Sequence, residues 1–222
     1  MFIREGERLD DLQYRGLWII QDPELYCFTS DAVALANFVS GAKGKRMAEL
    51  CAGSGVISLL VNEKQKPAKI TAVEIQPSMC DMALRSVRLN GRQDDIDIIC
   101  GDVKDALSFL PKDAFDIVVV NPPYRKKGCG QMQLKPEIAL SRHEIALDLN
   151  SLMRVSSALL KTKGAMYLVH RFDRLAEVFY EMKNFLIEPK EIKVLFGKNR
   201  VPNSVLIKGV KQGNSGLRWI GQ

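Results

Sequence analysis

The 222-residue sequence predicts an α/β chain: a mostly parallel sheet of seven strands with an antiparallel hairpin at its C-terminal end. Three observations carry that prediction. From Lys45 onward, short β-branched or apolar runs alternate with segments of helical spacing, the sequence form of consecutive βαβ units. The last two apolar runs have no helix between them, so they pair as a hairpin at the end of the sheet. A content of 46% hydrophobic and 26% charged residues is enough to bury a core, and it argues against disorder.

Ahead of the repeat, Trp18 to Gln21 reads as a strand, and Thr29-Ser30-Asp31 offers N-cap chemistry for a helix from about Ala32 to Val39. "RMAELC" is the first strand of the repeat and "GVISLLVNEK" its helix. "KITAVEI" is the second strand, followed by "SMCDMALRSVRLNG", where Met79, Ala83, Val87 and Asn90 recur at helical spacing. "DIDIIC" is the third strand and "VKDALSFL" a short helix, "FDIVVV" the fourth strand and "LNSLMRVSSALLK" a helix ending near Gly164. "AMYLVH" and the helix "RLAEVFYEMKNF" come next, and "EPKEIKVLF" and "NSVLIKGV" form the hairpin. Arg125 to Ser141, rich in Lys, Gly and Gln, is the longest loop candidate, and long loops at strand ends tend to carry function.

Residues 1–222 read as one domain, with 1–44 an N-terminal extension. The charged start "MFIREGERLDD" lacks an apolar signal core, and no apolar run approaches the ~18 residues of a membrane span, so a cytoplasmic location is expected. Five scattered cysteines without a C-x-x-C pair suggest neither a disulfide framework nor a metal site. The net charge of +6 and a sequence pI near 9.1 suit a polyanionic partner.

The chemistry concentrates where strands end. In "ELCAGSGVISL", Gly53 and Gly55 let the backbone turn tightly and approach a ligand against helix N-terminal amides. Glu74 closes the second strand about 20 residues on, where a carboxylate can accept both hydroxyls of a ribose. "CGD" closes the third and places Asp102 where it can accept from an adenine amine or, alternatively, cap the following helix. Three such ends in succession point to an adenosine-containing cofactor. The fourth strand ends in "NPPY". Pro122 and Pro123 have fixed φ, so the Asn121 amide and the Pro122 carbonyl point in set directions and can accept both protons of a planar amino group. Tyr124 can then stack on the π system that carries the amine.

With these residues in view, the chain resembles the class I S-adenosylmethionine-dependent methyltransferases, a Rossmann-like fold, and among them the amino-group enzymes marked by Asn-Pro-Pro-Tyr. "FTSDAVALANF", "VEIQ", "LRSVRLN", "NPPY", "RHEI", "VHRFDRL" and "NSVLIKGVKQG" are similar to the bacterial tRNA1(Val) adenine N6-methyltransferases, particularly their Gram-positive relatives. The resemblance implies S-adenosyl-L-methionine as cofactor. Glu49, Gly53 and Gly55 would line its methionine moiety, Glu74 its ribose, and Asp102 with Val103 its adenine, while Thr29 to Asp31 reach it from the N-terminal extension. Asn121, Pro122 and Tyr124 would hold the target adenine of a tRNA, at position 37 beside the anticodon. Cys51 stands where the family pattern has its first glycine. Arg142, His143 and Glu144 match a family signature whose role the residues do not explain. Arg125, Lys126, Lys127, Lys198 and Arg200 are candidates for phosphate contacts, alongside Lys190 and Lys193. The same tetrapeptide also serves enzymes acting on protein glutamine, DNA adenine or the exocyclic amine of a guanine in ribosomal RNA, and a non-catalytic cofactor- or RNA-binding module is a further alternative.

Overall fold

A computed structural model describes residues 2–123, 148–197 and 199–221. The elements are β1 (Arg8–Asp11), β2 (Trp18–Gln21), α1 (Ser30–Phe38), β3 (Arg46–Leu50), α2 (Val56–Gln65), β4 (Lys69–Glu74), α3 (Pro77–Leu89), β5 (Ile96–Cys100), α4 (Ala106–Phe109), β6 (Phe115–Val120), α5 (Leu149–Leu159), β7 (Leu160–Arg171), α6 (Leu175–Asn184), β8 (Ile187–Phe196), β9 (Pro202–Lys211) and β10 (Arg218–Trp219).

The main sheet runs β10-β8-β9-β7-β6-β3-β4-β5, parallel from β7 through β5 and antiparallel where β9 pairs with β7 and β8. Its central strands are apolar on both faces because both are covered. Met47, Ile117, Val119 and Val169 face α1 and α2, whereas Ala48, Leu50, Val118, Val120 and Leu168 face α4, α5 and α6. Val118, Val119 and Val120 are all 0% exposed. At about 1.5–3 kcal/mol for each buried aliphatic side chain, such strands are the main stabilising term. After β5 the chain returns to place β6 on the other side of β3, so the topological switch point lies between β3 and β6, where open α/β sheets bind ligands.

The mostly parallel sheet and the C-terminal hairpin match the sequence prediction, but the sheet has eight strands among the described residues, and not seven. The extra one, β10, is a two-residue pairing of Arg218 and Trp219 with Glu191 and Ile192, too short to leave a periodic signal. β7 starts at Leu160, well before "AMYLVH", because Leu160 pairs with Phe115 ahead of a bulge. A separate two-stranded sheet joins β1 to β2. Its first strand, "RLDD", carries three charges and reads as coil, but the apolar β2 gives it a partner. This hairpin is tied to α3: the Ile20 amide donates to Ser86 Oγ at 3.0 Å, and Arg85 donates to both Glu7 carboxylate oxygens. Among the described residues, no helix is long and apolar enough to cross a membrane and no cluster of metal ligands occurs.

Candidate active site at the strand ends

Register brings the strand ends into one row. Leu50 pairs with Val73 on one side and Val120 on the other, so Cys51, Glu74 and Asn121 follow at one level; Cys100 is the partner of Glu74. The turn leaving β3 has positive φ at Cys51 (61°), Gly53 (57°) and Gly55 (85°). A Cβ at Gly53 would meet Met79 Cε at 3.6 Å and one at Gly55 would meet Ala83 Cβ at 3.5 Å, ordinary contacts, so backbone conformation and not space is what requires glycine. Cys51 adopts that conformation with a side chain, at a cost of about 1–2 kcal/mol.

Glu49, fully buried, accepts a hydrogen bond from Ser58 Oγ of α2 through Oε2, while Oε1 has no partner. Burial pushes its carboxyl up to about 8. Glu74, 6% exposed, accepts from the Gly53 amide at 2.8 Å and the Gln76 amide at 3.0 Å, which fastens the glycine turn to the start of α3. Burial raises its carboxyl too, against those amide bonds. Asp102 accepts from the Lys104 amide at 2.8 Å, so it does cap the turn that follows, and Val103 beside it is buried.

Thr29 is exposed at the N-cap position of α1 but makes no side-chain cap bond. Asp31 is instead held by Ser204 Oγ of β9 at 2.7 Å, on the sheet face that carries Glu49. Asn121 is half-buried, Pro122 buried and Pro123 exposed. Tyr124, Arg125, Lys126, Lys127, Arg142, His143, Glu144 and Lys198 lie outside the described residues. Arg200 is exposed at the tip of the β8–β9 hairpin, its amide donating to Gly197 O at 3.1 Å.

Two residues escaped the sequence reasoning. Gln21, 1% exposed, donates to Ser54 Oγ at 2.8 Å and accepts from the Phe28 amide at 3.1 Å, bolting the N-terminal hairpin to the glycine turn. A polar amide closing the apolar strand "WIIQ" was the available signal. His170 is 2% exposed near the end of β7, level with Pro122, and burial pushes its imidazole down to about 4, so it is neutral at pH 7.

These residues suit an S-adenosyl group: a turn whose left-handed backbone at Cys51, Gly53 and Gly55 sits at the end of the strand row, the Glu74 and Asp102 carboxyls for hydroxyl and amine donors, and an unpartnered buried Glu49 oxygen that a cationic group can satisfy. The model of the methyltransferase small domain matches residues 29–193. The chain belongs to that family. Members of the class I fold use S-adenosyl-L-methionine as methyl donor. Among curated relatives, the tRNA1(Val) (adenine(37)-N6)-methyltransferase of Aliivibrio salmonicida is 25% identical over 136 residues, covering 61% of this chain and 56% of that protein. The protein of the same name from Bacteroides thetaiotaomicron is 25% identical over 182 residues, 80% of this chain and 74% of the relative. A 4-amino-L-phenylalanine/4-methylamino-L-phenylalanine methyltransferase of Streptomyces pristinaespiralis is 28% identical over 167 residues, 72% and 56% of the two chains. The chain thus spans little more than half the length of several relatives it matches. Among solved structures, a predicted O-methyltransferase from Agrobacterium tumefaciens superposes with a TM-score of 0.67 at 22% identity, covering 86% of this chain and 85% of that one. A geranyl diphosphate C-methyltransferase from Streptomyces coelicolor, solved with S-adenosyl-L-homocysteine, gives 0.62 at 13%, covering 82% and 77%.

Proposed function

We propose that this methyltransferase-family chain transfers a methyl group from S-adenosyl-L-methionine to the exocyclic N6 of an adenine in tRNA, at position 37, in the cytoplasm. The observation that carries the reading is the placement of Asn121 and Pro122 at the end of β6, one strand from the glycine turn and at the switch point of the sheet. The donor supplies an electrophilic methyl on a sulfonium when bound. Gly53, Gly55 and Glu49 would hold its methionine end, Glu74 its ribose, Asp102 and Val103 its adenine, with Thr29, Asp31 and the 1–44 segment closing the site from the N-terminal side. The Asn121 and Pro122 carbonyls would accept the two N6 protons and so orient the nitrogen lone pair, and Tyr124 is the residue proposed to stack on the base. Catalysis here is positioning, and a strong base is unnecessary because the proton is lost as positive charge develops on N6. An adenine in a single-stranded loop costs little to unstack. Two relatives whose names specify amines on flat rings, an adenine and an aminophenylalanine, support a clamp for a planar amino group.

The test is to incubate the protein with S-adenosyl-L-methionine and unmodified tRNA, digest to nucleosides and analyse by mass spectrometry. N6-methyladenosine is expected, and Asn121→Ala should lower its formation by about 10²-fold or more, the scale of removing one polar group that acts in a transition state. No methylated nucleoside from protein that demonstrably binds the cofactor would overturn the tRNA reading. Methylation of 4-aminophenylalanine in its place would favour the second reading, a small arylamine acceptor.

A further inference from the structure

Two thiols meet behind the turn that carries Glu74. Cys80, in the first turn of α3 and 4% exposed, donates its S–H to the Glu74 carbonyl at 3.1 Å. Cys100 ends β5 as the register partner of Glu74, is exposed, and has its Sγ 3.9 Å from the Ile75 carbonyl. The two sulfurs therefore approach the carbonyls of consecutive residues, on a helix and a strand that pack against each other. Burial first, and then the neighbouring thiol, hold Cys80 well above the ordinary thiol range, so it is not the group that reacts first. An exposed thiol backed by a buried one has the form of an attacking and a resolving cysteine.

We infer that Cys80 and Cys100 form a disulfide in response to peroxide, and that the bond weakens cofactor binding. The Cys100 thiol gives up its proton, and the thiolate attacks one oxygen of hydrogen peroxide and breaks the O–O bond, leaving a sulfenic acid; the released hydroxide combines with that proton and leaves as water. Cys80 sulfur then attacks the sulfenic sulfur, the S–O bond breaks, and the hydroxide departs with the Cys80 proton as a second water. Two thiols and one peroxide become one disulfide and two waters, with two electrons passing from sulfur to oxygen. The bond draws the sulfurs to about 2.05 Å and removes the S–H that Cys80 gives to the Glu74 carbonyl. Glu74 fastens the glycine turn through the Gly53 amide, and Asp102 stands two residues beyond Cys100, so both ends of the adenosine-binding row are disturbed. The effect on binding rests on the cofactor site proposed above; the disulfide itself does not.

The experiment treats reduced protein with hydrogen peroxide, blocks residual thiols, digests without reductant and identifies linked peptides by mass spectrometry; cofactor affinity is measured calorimetrically before and after. A Cys80–Cys100 linked pair is expected, with binding weakened about tenfold or more and restored by dithiothreitol. Cys100→Ser, a solvent-facing change that leaves the fold intact, should lose the response. Sulfinic or sulfonic Cys100 without a linked peptide overturns the pairing. A linked pair with unchanged affinity overturns its effect on the site. Failure of the reduced protein to bind the cofactor would overturn the cofactor reading and that effect together, while the linked peptide still decides the disulfide.

Discussion

At the scale of single residues, Glu49 sets a pH dependence. Its folded carboxyl titrates near 8, above its unfolded value, so the folded protein holds a proton that the unfolded chain releases. That contribution is complete below about pH 4.5 and is lost as pH rises through about 8. Urea unfolding of Glu49→Gln should therefore show a flatter decline in stability between pH 5.5 and 8.5 than the parent, by up to a few kcal/mol. An identical slope would show that Glu49 is not buried as a neutral acid. Gly55, at φ 85°, gives a second expectation: Gly55→Ala should destabilise by about 1–2 kcal/mol through backbone strain alone, since Ala83 leaves room for the methyl. The glycines and strand-end acids were legible because backbone conformation and charge at a βα turn are local. Gln21 was not, because its role is a contact with Ser54 across 33 positions, and sequence spacing carries no record of such pairs.

At the scale of elements, the β1–β2 hairpin is a strap on α3. Arg85 bridges Glu7 and Asp81, with the Arg85 and Glu7 side chains only 12% and 8% exposed. Removing the cation takes two charged hydrogen bonds from the half-buried Glu7 carboxylate and leaves it the Arg4 amide at 2.8 Å, so Arg85→Ala should cost about 1–3 kcal/mol locally. Hydrogen exchange over residues 2–28 should then rise with the rest of the sheet unchanged, and cofactor affinity should fall because Gln21 no longer steadies the glycine turn. The Arg85 hydrogen bond also holds the Glu7 carboxyl below its usual range, so this clamp is intact above the unfolded carboxylate range and opens as pH falls through the lowered value. The inner strands could be read from their apolar runs because both faces are covered. β1 and β10 could not, because charged or two-residue strands exist only through their partners.

For the whole molecule, the net charge of +6 and the proposed tRNA substrate together imply salt-sensitive binding. If only two phosphates are neutralised, affinity for tRNA should fall by about tenfold between about 50 and 200 mM salt, and Arg200→Ala should reduce the slope of that dependence. A flat response, measured by filter binding, would remove the basic residues from the interface. The α/β class followed from alternation along the chain, whereas the strand order did not, because the antiparallel insertion of β9 between β7 and β8 is decided by what pairs late. That insertion bears on how the protein is made. Until residues 202–211 emerge from the ribosome, β7 has an open edge and Asp31 lacks the Ser204 hydroxyl, so a nascent chain can assemble β3 to β7 but not seal them. A message cut short before that point would release a chain whose 12-residue strand β7, apolar from Ala165 to Val169, has a bare edge, a substrate for chaperones and proteases before it is anything else.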